Sequence, residues 1–266
     1  MSIDLPARPV GHLLRDWRER RRLSQLELSN RAEISTRHLS FVETGRSRPS
    51  PEMILRLTEH LEVPLRERNQ LLLAGGYAPA YPQHGLDAPQ LAAVRAALRQ
   101  VLTAHEPYPA LVLNRYWEML DANAAVGLLL TGVAEHLLTP PVNVLRVSLH
   151  PDGLAPRIAN LAQWRSHVLH QLWRRAGSTA DVKLRELHDE LLAYPGGIDP
   201  APIARAPVSA VVPLRLRSVG DGELALFSLA SHVQTAADVT VEELTIESFY
   251  PADDATAAAL ARVAGS

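Results

Sequence analysis

The chain has 266 residues, 47% of them hydrophobic, which is material for two cores of ordinary size. It has no cysteine, which excludes disulfides and thiolate metal sites, and no apolar run approaches the eighteen residues of a membrane span. The net charge of −2 is unevenly spread: residues 1–80 carry thirteen Arg, no Lys and ten acidic residues, a balance of +3 that leaves −5 for the rest.

Val10, Leu13, Leu14 and Trp17 recur at i, i+3, i+4 and i+7, which predicts a helix from Pro9 to Arg22 with one buried stripe. Ser24 with Glu27 three residues on is a capping box opening a second helix that runs to about Ala32. Ser35 repeats the device before Thr36 to Glu43, and Gly45 ends that third helix. Leu28, Ala32, Ile34, Leu39 and Val42 then turn inward, leaving Gln25, Thr36, Arg37, His38, Ser40 and Phe41 outside. Ser50-Pro51 and Pro64 start two more helices, striped by Ile54, Leu57, Leu61 and by Leu65, Leu71, Leu72, and Gly75-Gly76 closes the last. Eight arginines, Arg15, Arg18, Arg20, Arg21, Arg22, Arg37, Arg46 and Arg48, crowd this part and suit a polyanionic partner.

The order Leu23-Ser24-Gln25, Leu28, Ile34-Ser35, Leu39, Glu43, Gly45 and Pro49 resembles the helix-turn-helix of the Cro/C1-type (XRE) regulators. The resemblance implies a lambda-repressor-like, all-α five-helix domain in which the first helix of the motif crosses the phosphate backbone and the second enters the major groove. It also implies a phosphate clamp at Gln25 and base readers at Thr36, Arg37 and Ser40. Ser35, His38, Phe41, Arg46, Ser47 and Arg48 complete the expected DNA-binding surface. Glu33 departs from the family's usual glycine, so a slightly reshaped turn is expected there.

The proline-rich stretch from Tyr77 to Pro89 marks a boundary, giving domains at 1–80 and 88–266 joined by a linker at 81–87. A helix from Ala88 to His105 follows. Ala110 to Asn114 and Tyr116 to Leu120 read as a strand pair round Asn114-Arg115, with a helix from Asn123. Asn143 to Leu149 fits a strand or a helix. Arg157 to Arg175 and Asp181 to Leu192 read as amphipathic helices, with Trp164 and Trp173 expected in the core. Val208 to Arg217 and Glu223 to Val233 read as strands meeting at Gly220-Asp221-Gly222, and a last strand spans Glu243 to Tyr250. The pattern is a small antiparallel sheet with helices packed on it, an α+β domain.

Pro109-Ala-Leu-Val-Leu, Leu120-Asp-Ala-Asn-Ala-Ala, Asn143-Val-Leu-Arg and the helix with Trp164 resemble the MmyB-type ligand-binding domain, a PAS-like fold. That resemblance implies a small amphiphilic effector such as a fatty acid, with Trp117 and Trp164 as walls and Asn143 and Arg146 as polar anchors for a carboxylate. No catalytic constellation is read: His167 with His170, and His188-Asp189-Glu190, lack a third ligand at a recognisable spacing, and no phosphate-cradling glycine loop is present. No catalytic residue, metal or cofactor is expected. The expectation is a cytoplasmic, homodimeric regulator that binds double-stranded DNA and stays off the membrane. The alternative is a DNA-binding protein whose C-terminal domain only dimerises or takes a protein partner, and an enzyme fused to DNA-binding helices ranks third.

Overall fold

The computed structural model describes residues 8–179, 181–197, 211–217 and 222–264. The chain divides into two compact units, one reaching to His84 and adding Thr235–Glu242, the other taking the remainder.

In the first unit α1 is Val10–Arg20, α2 Gln25–Arg31, α3 Thr36–Glu43, α4 Pro51–His60 and α5 Leu65–Ala74. Their starts follow from side chains: Ser24 and Glu27 close a reciprocal capping box, while Ser35 and Ser50 accept from the amides of His38 and Met53. Leu14, Trp17, Leu28, Leu39, Ile54, Leu57 and Leu71 form the core. Glu33 takes the left-handed conformation itself, at φ +52°, and the amide of Ile34 donates back to Ser29 O at 3.0 Å. The turn is therefore kept rather than reshaped. The protein accepts roughly 1–2 kcal/mol of strain at Glu33, because the helix-closing bonds and the burial of Ala32 on one side outweigh it.

Residues 235–242, placed with the C-terminal domain by sequence, contain a short helix, α11 (Val239–Glu242), that packs in the first unit. Asp238 accepts from the His84 amide at 3.2 Å and lies 2.7 Å from its Nδ1. Glu242 accepts from the Leu65 amide at 2.8 Å and so serves the start of α5, where Pro64 offers no side-chain cap. Burial would raise the Asp238 pKa, but hydrogen bonds from His84, Thr240 and Val241 hold it below the ordinary value.

In the second unit α6 (Ala92–Ala104) precedes β1 (Ala110–Leu113) and β2 (Met119–Ala122). Then come α7 (Val126–Leu130), α8 (Val144–Leu149), α9 (Leu161–Thr179) and α10 (Val182–Ala193), and β3 (Leu214–Arg217), β4 (Glu223–His232), β5 (Thr245–Pro251) and α12 (Asp254–Ala264) complete it. The strands form one antiparallel sheet in the order β2-β1-β5-β4-β3. The register pairs Leu111 with Glu247 and Ser228 with Phe249, so these four share a face with Leu113, Leu214 and Leu226. That face packs with α8, α9 and α10 in one core, while Ala110, Val112 and Ile246 on the other pack with Leu98 and Leu102 of α6.

Several boundaries differ from expectation for local reasons. Asn114 Oδ1 accepts from the amides of Tyr116 and Glu118, which winds Tyr116 to Glu118 into the turn before β2. Asn143 to Leu149 resolves as helix because Asn143 caps it. Trp173 is 57% exposed, not core. Helix α12 was not anticipated, and residues 218–220 and Asp221 of the expected hairpin turn lie outside the described residues.

Candidate functional sites

The first site is the outer surface of α3. Ser35 caps the helix, and Thr36 Oγ1 lies 2.8 Å from Ser29 Oγ, which fixes its rotamer. Arg37 is exposed, and its guanidinium sits 5.3 Å from the centre of the Phe41 ring, with that of Arg46 at 5.9 Å. Two cations thus flank one aromatic ring at the start of α3 and in the loop after it. Neither has an acidic partner among the described residues. His38 and Ser40 are half-buried beside them, and the Ser47 amide donates to Phe41 O.

Other expected contacts are partly committed within the fold. Arg18 is 8% exposed and pairs with Glu43 through Nε at 2.6 Å and Nη2 at 2.9 Å, so it leaves the set of DNA-facing arginines. Gln25 donates to the same carboxylate at 2.8 Å, which holds its side chain at the start of α2. Arg21 donates to Leu61 O and Glu62 O, and Arg48 to Gly75 O at 2.7 Å. Sequence alone showed eight arginines in one region. Only packing separates structural ones from free ones.

The second site is a cavity of about 90 Å³ between the sheet and the helices of the second unit. Its walls are apolar, with Leu111, Val126, Leu145, Val168 and Phe249 among them, and Trp117 and Trp164 both line it. Trp164 Nε1 donates to Ser148 Oγ at 2.8 Å, and the Trp117 ring has Arg175 at 4.9 Å on it. The expected anchors are elsewhere. Asn143 accepts from the amides of Leu145 and Arg146 and donates to Tyr116 O, which spends its carboxamide on the cap. Arg146 forms two 2.7 Å bonds to Glu190, and neither residue lines the cavity.

The polar groups that do line it are Ser148, His167, Gln171, Ser228 and Glu247. His167 Nε2 lies 2.8 Å from the Gln171 amide nitrogen; burial, then the neighbouring His170, keeps the imidazole pKa below its ordinary value. Glu247 retains some accessible surface along the cavity, yet protein surrounds it closely enough that burial raises its pKa, opposed by a hydrogen bond from Ser228. The signal for this residue was present: a charge at an inward position of the alternating run Thr245, Glu247, Phe249. Sequence reasoning missed it by treating the strand as scaffold.

Glu247 makes stability depend on pH in a defined direction. The unfolded chain releases this proton near the ordinary value of 4.5 and the folded chain only at higher pH. Between the two the folded state holds the extra proton, so stability falls as pH rises, by at most about 1.4 kcal/mol per pH unit. In Glu247→Gln this contribution disappears. Denaturant titrations from pH 4 to 8 should show the variant gaining on its parent above about pH 4.5. A constant difference across that range would mean that Glu247 is solvated.

His136, His150 and Asp152 bring ligand atoms within 4.8 Å of one another, but His136 and Asp152 are exposed and His150 Nδ1 already accepts from the Asp152 amide. Of the pair singled out by sequence, His170 is exposed; Glu190 of the other cluster turns to Arg146 and Tyr194. Among the described residues no helix is long and apolar enough to cross a membrane.

A capped two-helix motif with cations exposed on its second helix and in the loop after it, followed by a five-stranded antiparallel sheet with a cavity against it, defines a regulator with separate DNA and ligand units. The family described as MmyB-like transcription regulator ligand binding domain matches residues 94–263, and a helix-turn-helix domain matches residues 9–71. The chain belongs to the MmyB-like transcription regulators, DNA-binding proteins with a C-terminal ligand-binding domain. No curated protein matches it. A solved structure titled "Structure of an RNA-binding Light-Oxygen-Voltage Receptor" is similar at 12% identity and a TM-score of 0.29, over 96% of this chain and 63% of that one. The chain therefore spans less than two thirds of that protein, and so weak a likeness carries no argument.

Proposed function

We propose that the protein binds a two-fold operator as a homodimer and that a small, mostly apolar effector in the cavity sets its affinity for DNA. The observation that carries the DNA part is the pair of acid-free cations, Arg37 and Arg46, flanking Phe41 at α3. With α3 in the major groove, Thr36, Arg37 and Ser40 face base edges with His38 at their side, while Gln25, Arg46, Ser47 and Arg48 meet phosphates. One such motif reads only a few base pairs, so two half-sites about 34–36 Å apart supply the remaining specificity. The apolar walls with Trp117 and Trp164 support an effector whose body is hydrocarbon-like. A fatty acid meets the apolar requirement, but the cation expected for its carboxylate is committed to Glu190. The route we assign to control is covalent: β4 and β5 wall the cavity, and the segment joining them contains α11 of the first unit.

The expected result in operator titrations at several salt concentrations is a log-log slope that becomes shallower by about 0.9 for each phosphate contact removed. Arg46→Ala should weaken all sequences alike and lose one such increment. Arg37→Ala should cost about 1–3 kcal/mol at its cognate base and relax preference there. A salt-independent isotherm overturns the DNA reading. A one-to-one complex of protein and full operator in light scattering overturns the dimer. If no apolar compound alters the melting temperature or operator affinity, the cavity is packing space and the C-terminal domain acts through dimerisation or a protein partner.

A further inference from the structure

Resting on the reading of the cavity as the effector site, we infer that its ligand is an apolar amine whose ammonium group pairs with Glu247. The sheet face that walls the cavity is built from Leu111, Leu214, Leu226 and Phe249, and among the described residues the carboxyl group on it is that of Glu247. Among the described residues that line the cavity there is no Lys or Arg. Arg146, in the neighbouring helix α8, is held by two bonds to Glu190, so no protein cation reaches the carboxyl from there. Among the described residues the other titratable group on the wall is His167, whose pKa burial lowers and whose Nε2 lies 2.8 Å from the Gln171 amide nitrogen. Among the described residues the hydrogen bond to Glu247 comes from Ser228, one of the several that a carboxylate can accept.

A carboxyl group in apolar surroundings without a cation costs stability, and a cation brought by the ligand removes that cost. A carboxylate ligand meets the opposite situation, facing a second acid on a wall whose described lining residues include no cation. The volume of about 90 Å³ favours a short or compact body, and longer chains need wall side chains to move. Proton balance follows from the chemistry. An alkylamine arrives as ammonium and the bound state is ammonium with carboxylate, so any proton that Glu247 holds in the empty cavity passes to solvent on binding.

The test uses the full-length protein and matched alkyl series at two chain lengths: n-butylamine, 1-butanol and butyrate, then octylamine, 1-octanol and octanoate. Calorimetry in buffers of different ionisation enthalpy reads affinity and proton release together. The expected result is an amine that binds at least about tenfold tighter than the matched carboxylate at the same length, with proton release. Glu247→Gln, nearly isosteric, should lose both the amine preference and the proton signal while still binding the alcohol. Equal binding of all three members, or preference for the carboxylate, overturns the proposal and leaves the effector reading standing. If none of the six compounds binds, the effector reading fails and this proposal with it.

Discussion

Glu43→Ala lowers the stability of the first unit by about 3–5 kcal/mol, measured as the shift of its denaturant midpoint at constant slope. The carboxylate is 2% exposed and receives Arg18 Nε, Arg18 Nη2 and Gln25 Nε2, while Arg18 Nη1 donates to Leu23 O. Removing it strands a guanidinium that is 8% exposed and frees the side chain expected to clamp a phosphate. Operator affinity should fall as well. Replacing both charges together, as Arg18→Met with Glu43→Leu, should recover most of the stability but not the DNA affinity, because packing then substitutes for the pair and nothing positions Gln25. A loss under about 1 kcal/mol for Glu43→Ala would mean that Arg18 swings into solvent.

Gly11→Ala is expected to destabilise the same unit toward the upper end of the roughly 1–3 kcal/mol typical of overpacking. A Cβ at this position of α1 would stand 2.0 Å from the carbonyl oxygen of Val42 and 3.2 Å from Glu43 Cα, atoms of the α3 backbone. A side chain could rotate away; a helix backbone shifts only as a whole. The gain of about 1 kcal/mol from placing alanine in a helix is therefore exceeded, and α3, which carries Thr36, Arg37 and Ser40, is displaced. Gly177→Ala in α9 is the control, since nothing lies within 4 Å of its Cβ position and the helix-propensity gain should appear undiminished. Thermal melts of the two variants with opposite signs are the expected outcome, and a stabilised Gly11→Ala protein would show that α1 and α3 are not fixed against each other.

What the sequence by itself determined was whatever depends on neighbours along the chain. Ser24 with Glu27, Ser35, and Ser50-Pro51 set the helix starts through local hydrogen bonds, and 3.6-residue stripes chose Leu14, Leu28, Leu39, Ile54 and Leu57 as core. Short apolar runs bounded by turn residues marked β1, β4 and β5, while Trp117 and Trp164, which the family resemblance alone suggests as effector walls, line the cavity. Only tertiary structure decided which charges are free. Arg18 and Arg37 look alike in sequence, but Glu43, twenty-five positions beyond Arg18, makes the first a buried partner and leaves the second on the surface. Asn143 and Arg146 were chosen as anchors for their chemistry, and cap geometry and Glu190 claimed them first. Glu247 and residues 235–242 follow the same rule. Sheet register turns Glu247 into the cavity, and bonds to His84 and Leu65, more than 150 positions away, draw the 235–242 segment into the first unit, because burial and long-range pairing are properties of the folded chain.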